Sequence, residues 1–388
     1  MFGAVISFPL HQLLLKALQP HRSSSSTATT TTTSTTTVSA SKLYSLKLKL
    51  RGNMTFADIC SMIENCPPSL QELTVQCLFW TKLGNISSAA WSYDLEKRFA
   101  WMKSNDNTSF QRQLPALRCL ALNWYSAFDG KEINLVDLEK FLFPLLACFP
   151  TLQDLTISKI TSRLLDGGST LIPALVTYCP ALTTINFGEN LISEEHMFRF
   201  IMDMPQGLQG LTTRITPSYL NRVLPVLLKR SGPTLQHLHL AELGLDQSHI
   251  RSTYIADILA CCPRLKTLVV LPKAQPAFKI GLRDLLSAQW VCTGLETLSI
   301  SINEVTIAPE HELKAQQGLL KAAVAEQEGE GISKISEFYR RLKTLPCLTV
   351  LDLRWSPACQ ETVSVCKKAF SDELLTTGHL KWMGLRLS

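Results

Sequence analysis

A chain of 388 residues, 46% of them apolar, is long enough for two ordinary domains or one elongated repeat array with a continuous core. Its formal charge of +6 comes from 38 basic and 32 acidic side chains, and Lys16, Arg22 and Lys42 lie in an acid-free start. The remainder is therefore close to balanced, which argues against a dedicated nucleic-acid groove, and no apolar run approaches a membrane span.

Residues 1–22 form a short apolar segment. Leu10, Leu13, Leu14 and Ala17 recur at helical spacing and predict one helix over 6–18. The segment lacks a basic n-region, which tells against a secretory signal, whereas its acid-free, hydroxyl-rich continuation leaves an organellar targeting peptide open. Residues 23–41, SSSSTATTTTTSTTTVSAS, cannot bury enough apolar surface to offset their ordering entropy and predict a disordered linker.

From residue 42 onward one pattern recurs. Its fullest copy is CPALTTINFGEN at 179–190, where Leu182, Ile185, Phe187, Asn190 and Ile192 follow L-x-x-L-x-L-x-x-N-x-L, the leucine-rich-repeat signature. Ile185 and Phe187, two apart, share one face of a short strand, and Asn190 stands where the chain must turn away from it. The copies begin at Leu43, Leu70, Leu117, Leu152, Leu182 and Leu208, then at Leu235, Leu265, Leu295, Leu348 and Leu380. Subtraction gives steps of 27, 47, 35, 30, 26, 27, 30, 30, 53 and 32 residues, long enough for a strand and a helix in each. Pro68, Pro115, Pro150, Pro180, Pro233, Pro263 and Pro346 each stand two residues ahead of a first leucine, where proline ends the preceding helix.

Helices are expected over 56–66, 135–149, 169–179, 217–232 and 248–262. Strands joined through helices must run parallel. The predicted architecture is an α/β leucine-rich-repeat solenoid over 42–388, right-handed, with strands on a concave face and helices on a convex one. Two insertions depart from the period, near 79–113 and 304–344. The first concentrates Phe79, Trp80, Trp91, Phe99, Trp101 and Phe110. Both either extend the convex side or reach a partner at the concave rim.

Twelve cysteines are present. Cys66, Cys179 and Cys262 recur just before the repeat's proline, and Cys148 stands one residue earlier relative to Pro150. That pattern reads as buried thiols and a reducing compartment, cytoplasmic or nuclear. Asn53, Asn85 and Asn107 complete glycosylation triplets, which would carry glycans only in a secreted protein.

On each strand the residues flanking the inward apolar positions project onto the concave face. The candidate partner-binding positions are Glu72, Thr74, Asp154, Thr156 and Asn186, followed by His237, His239, Thr297 and Ser299, and finally Asp352, Arg354 and Trp382. This face is mostly small, neutral and hydroxylated. His237 and His239 are spaced to offer two imidazoles to one metal, but the adjacent strands supply no third ligand, so no metal is expected. No G-x-S-x-G elbow and no Gly-rich phosphate loop is present, and no cofactor or catalytic centre is expected. The chain reads as a monomeric, non-enzymatic module that binds a protein on its concave face.

CPPSLQEL, CPALTTINF and CPRLKTLVV resemble the repeats of F-box leucine-rich-repeat proteins. The C-terminal SKISEFYRRLKTLPCLTVLDLRW, with HLKWMGLRL, is similar to the fungal F-box-like members of that group. The resemblance spans residues 43–388. It implies a ribonuclease-inhibitor-like solenoid that captures a protein substrate and serves as substrate-recognition subunit or adaptor of an SCF-type, cullin-based ubiquitin ligase. Only 22 residues precede the Ser/Thr run, and FPLHQLLLKAL is not a three-helix F-box, so the F-box is expected to be missing or truncated. A repeat scaffold unrelated to ubiquitin, or a secreted recognition protein, is the alternative.

Overall fold

Several repeats turn on the same four-residue corner. In Phe149–Leu152, Cys179–Leu182, Cys262–Leu265 and Leu345–Leu348, the carbonyl of the first residue accepts the N–H of the fourth at 3.0–3.3 Å. Pro150, Pro180, Pro263 and Pro346 occupy the second position, where a fixed φ suits a tight turn. Proline here does more than stop a helix, because it sets the corner from which the next strand departs.

The structure is a computed structural model. It describes residues 3–6, 43–51, 66–67, 69–79, 114, 116–126, 146, 148–158, 171–188, 192–215, 217–242, 253–271, 281–302, 334–355 and 382–387. All but Ile6 of the expected helix over 6–18, the linker over 23–41, Asn190, most of the expected helices over 56–66 and 135–149, and most of both insertions lie outside these residues.

The chain divides into two compact units, Met1–Asn190 and Leu191–Ser388. The first holds strands β1 (Gly3–Ile6), β2 (Ser45–Arg51), β3 (Glu72–Phe79), β4 (Cys119–Ser126), β5 (Asp154–Ser158) and β6 (Thr184–Asn186), with helix α1 (Leu171–Tyr178) between the last two. Each strand pairs in parallel with the next in chain order. β1 is a strand that the repeat pattern does not contain; its GAVI pairs with β2 from Gly3 opposite Lys47.

The second unit begins with helix α2 (Glu194–Asp203) and strand β7 (Gly210–Ile215), continuing through α3 (Pro217–Ser231), β8 (His237–Glu242), α4 (Tyr254–Cys261), β9 (Thr267–Leu271), α5 (Leu282–Ser287) and β10 (Thr297–Ile302). A helix α6 over 334–343 then leads to β11 (Val350–Trp355), and β12 (Trp382–Leu387) closes the unit. These six strands are also parallel and in chain order. Both units therefore have the α/β leucine-rich-repeat architecture that the periodicity predicts.

The repeats are tied together at the strand entrances. The carbonyl of Tyr44 accepts the N–H groups of both Gln71 and Glu72, at 2.9 and 3.0 Å. Gln71 does the same for Arg118 and Cys119, and Gln236 for Lys266 and Thr267. Hydroxyls add a second set of ties. Ser69, Thr151 and Thr234 donate from their side chains to the carbonyls of Leu43, Leu117 and Leu208, each the first leucine of the preceding repeat.

The core consists of the strand leucines and the helix residues that face them. Leu73, Val75, Leu120, Leu122, Leu155 and Ile157 are buried in the first unit, and Leu238, Leu240, Leu268, Val270, Leu298 and Ile300 in the second. Side chains on the same strands but of opposite parity are half exposed in most repeats, which is the alternation expected of a sheet buried on one face. In α2 the Ser193 hydroxyl caps the helix by accepting the His196 N–H, and Met197, Phe200 and Ile201 are buried. In α6 the buried set is Ile335, Phe338, Tyr339 and Leu342, at helical spacing. Phe338 meets Trp290 edge-on at 5.9 Å, and Arg341 donates to the Ala288 carbonyl at 2.5 Å.

Cys66, Cys148, Cys179 and Cys262 form no disulfide and are buried, as their place before the turn predicts, and Cys292 at the equivalent corner is buried too. Burial pushes the thiols of Cys66, Cys179 and Cys262 up to about 12, and that of Cys292 to about 11. Cys179 Sγ lies 3.7 Å from the Leu146 carbonyl, to which its S–H donates.

Candidate protein-interaction face

Strand register arranges the outward residues in rows. In the first unit one row runs from Ser45 through Glu72, Cys119 and Asp154 to Thr184, and a second from Lys47 through Thr74, Ala121 and Thr156 to Asn186. Glu72 is exposed, while Thr74, Asp154, Thr156 and Asn186 are half exposed, so sequence position and structural placement agree here.

Two of these side chains are already engaged. Asp154 Oδ2 accepts the Cys119 thiol at 3.1 Å, and Asn186 Oδ1 accepts the Gly188 N–H at 2.7 Å. The second contact closes a turn at Gly188, whose φ of 58° lies in the left-handed region that glycine tolerates best. Burial, and then the Asp154 hydrogen bond and charge, push the Cys119 thiol up to about 12. A thiol held protonated in this way is not a nucleophile at neutral pH.

In the second unit the rows run Gly210, His237, Thr267, Thr297, Val350 and Trp382, and next to it Thr212, His239, Val269, Ser299, Asp352 and Gly384. His237 is exposed, its Nδ1 3.2 Å from the Thr267 hydroxyl. His239 is half buried, and desolvation lowers its pKa, keeping the imidazole neutral at pH 7. Thr297 is half exposed. Trp382 stands in register with Val350, and its side chain lies outside the described residues.

At β10 and β11 the structure departs from the sequence reading. Ser299, Ser301 and Asp352 are 5%, 2% and 8% exposed, so they are not presented as free surface. Asp352 Oδ2 accepts the Ser299 hydroxyl at 3.2 Å and lies 3.9 Å from the Arg354 guanidinium. Alternation alone places these residues on the outward face, but only the folded sheet brings the three together across 53 residues of chain. The neighbours of the histidine pair in register are Gly210, Thr212, Thr267 and Val269, none of them a metal ligand. Among the described residues, no group of three His, Cys, Asp or Glu side chains is placed to hold a metal, and no helix is long and apolar enough to cross a membrane.

Chemically, the described residues of this face present hydroxyl, amide and imidazole donors and acceptors on a hydrogen-bonded sheet. No family model matches the chain, and no curated protein does. Among solved structures it is similar to the complex of Rad7 and Elc1 in yeast, at 15% identity and a TM-score of 0.41, covering 84% of this chain and 67% of that one. It is also similar to a protein from Bacteroides fragilis, at 12% identity and a TM-score of 0.33, covering 88% of this chain and 75% of that one. Likenesses this distant decide nothing about partner or activity.

Proposed function

We propose that the chain is a non-enzymatic protein-interaction module whose outward strand face captures another protein. The observation that carries this reading is the contrast between the two parities of each strand. Over most of the described strands one parity is buried, whereas the other, apart from Ser299, Ser301 and Asp352, exposes short hydroxyl, amide and imidazole groups in rows on a hydrogen-bonded scaffold. A rigid surface of that kind loses little entropy on binding and offers many weak, adjustable contacts. On the strength of the CP-x-L repeat resemblance, its role is that of substrate-recognition subunit or adaptor in SCF-type ubiquitin ligation, in the cytoplasm or nucleus.

The test is affinity purification of the tagged chain from its own cells, beside two variants. One variant carries Thr74→Arg and Thr156→Arg on the outward face; the other carries Arg199→Ala and Arg340→Ala on exposed helix positions. Loss of a specific protein in the first variant only supports the face as the binding surface. Equal recovery in both would sink that reading. Co-purification of a cullin adaptor supports the ubiquitin role; a specific partner without that adaptor leaves a scaffold unrelated to ubiquitin.

A further inference from the structure

β1 (Gly3–Ile6) stands outside the repeat pattern. Its four residues, GAVI, pair in parallel with β2, from Gly3 opposite Lys47 to Ile6 opposite Leu50, and with no other described strand. On its other side β2 is bonded to β3. Backbone alternation fixes which groups face which neighbour. The Tyr44 carbonyl accepts the Glu72 N–H on the β3 side, so the polar backbone groups of Leu46 and Leu48 also face β3. Those of Lys47 and Lys49 therefore face β1.

We propose that the edge of β2 is a docking site for an extended, uncharged strand of another protein, and that β1 fills it as an exchangeable strand of the chain's own. The site is the edge of the sheet rather than its outward face, so it stands apart from the reading of that face. The strand already seated there shows the class of ligand. Gly3, Ala4, Val5 and Ile6 carry no charge and no hydrogen-bonding side chain, so main-chain bonds to the edge fix their direction and register.

Two features mark β1 as exchangeable. The sequence that joins it to β2, residues 7–44, contains the Ser/Thr run. A coil of that length spans about 35 Å and holds its strand only through an effective concentration in the millimolar range. The sequence of β2, SLKLKLR, also places lysines at 47 and 49, and Lys47 is exposed. Lysines protect an open edge strand against chance pairing, a precaution that a permanently covered strand does not need. Length then favours a foreign strand over a second copy of this chain. β2 has seven residues, Ser45–Arg51, and β1 stands opposite four of them. A longer segment gains main-chain bonds at the remaining positions, whereas the identical strand of a second copy gains none.

The experiment uses the full chain and a fluorescent seven-residue peptide, Ser-Thr-Val-Thr-Val-Thr-Ser, followed by anisotropy. Its control has proline at the central Thr. In the Ala4→Pro, Val5→Pro variant, proline removes an N–H of each parity from β1 and frees the edge. The expected result is binding about tenfold tighter to this variant than to the parent, with no binding of the proline peptide. Adding Lys49→Pro removes a donor that faces the edge and spares the ladder to β3, so binding is lost while circular dichroism is unchanged. Equal binding by parent and double variant, no binding to the double variant, equal binding of the proline peptide, or binding that survives Lys49→Pro would each overturn the proposal. A dimer of the parent that dissociates in the double variant would assign the edge to a second copy and overturn it too. The outward-face reading fails separately, through unchanged protein recovery when Thr74 and Thr156 are replaced.

Discussion

At Gly232 the constraint is the space available for a single atom. A Cβ there would lie 2.4 Å from the Leu228 carbonyl oxygen and 2.8 Å from that of Cys261, and neither backbone oxygen can rotate away. Gly232→Ala is therefore expected to cost about 1–3 kcal/mol, read as a lower urea midpoint. A midpoint equal to the parent's would mean that α3 and α4 yield more easily than their backbones imply. The neighbouring pair Cys261 and Cys262 separates two environments one bond apart, the first exposed and the second fully buried with its thiol pushed up to about 12. A maleimide applied to the native protein is expected to label Cys261 and Cys347 rapidly and Cys262 only after unfolding, as mapped by mass spectrometry. Rapid native labelling of Cys262 would contradict its placement in the core.

The repeat, at the scale of an element, is a turn, a strand and a helix tied to its predecessor by one carbonyl and one hydroxyl. Thr234 Oγ1 lies 2.9 Å from the Leu208 carbonyl and 3.0 Å from that of Ser231, so its single proton is shared between the tie to the preceding repeat and its own corner. Thr234→Val keeps the shape and removes the donor, with an expected loss of about 1–2 kcal/mol. Hydrogen exchange should localise the loss to the entrance of β8, at the N–H groups of Gln236 and His237 that bond the Gln209 carbonyl. Uniformly faster exchange across the unit would instead mean that the tie has no local role. The same scale shows how a helix accommodates an internal proline. Pro225 lies on the exposed side of α3, away from the buried Val223, Leu224, Leu227 and Leu228. The helical pattern there was legible through the proline because apolar spacing continues on both sides of it.

For the molecule as a whole, pH is expected to act through thiols. The folded values of Cys66, Cys179 and Cys262 are raised from 9.0 to about 12. Above pH 9 the unfolded chain releases these protons while the folded chain keeps them, so rising pH favours the unfolded state. The contribution is complete below about pH 9 and is lost between about 9 and 12, with a limiting slope of about 1.4 kcal/mol per pH unit for each thiol. Urea midpoints measured across that window should be level up to about pH 8.5 and then fall steeply. A level profile to about pH 11 would mean that the thiols are not sealed from solvent.

The first leucine of each repeat marked the fold with high accuracy. Every strand from β2 to β12 begins two residues after that leucine, from Leu43 and Ser45 to Leu380 and Trp382. This much was readable because burial of a period-2 strand face and a fixed turn leave an imprint within a dozen residues of chain. β1 was not readable, since GAVI is a strand only by virtue of its edge on β2. Nor was the buried Thr213 in β7, which occupies a leucine position in a degenerate repeat and donates to the Arg214 carbonyl at 3.2 Å. The candidate face divides in the same way. Alternation alone identifies which side chains share a side, and it placed His237, Thr74 and Thr156 on the outward, solvent-facing side. Whether an outward residue is also accessible depends on groups far away in sequence: Asp352 and Ser299 are 53 residues apart and are buried together, with Arg354 beside them, by the pairing of β10 with β11. Local periodicity thus determined the fold and the sidedness of each strand, while accessibility and hydrogen-bond partners were decided by the tertiary structure, because they depend on what the neighbouring repeat places opposite.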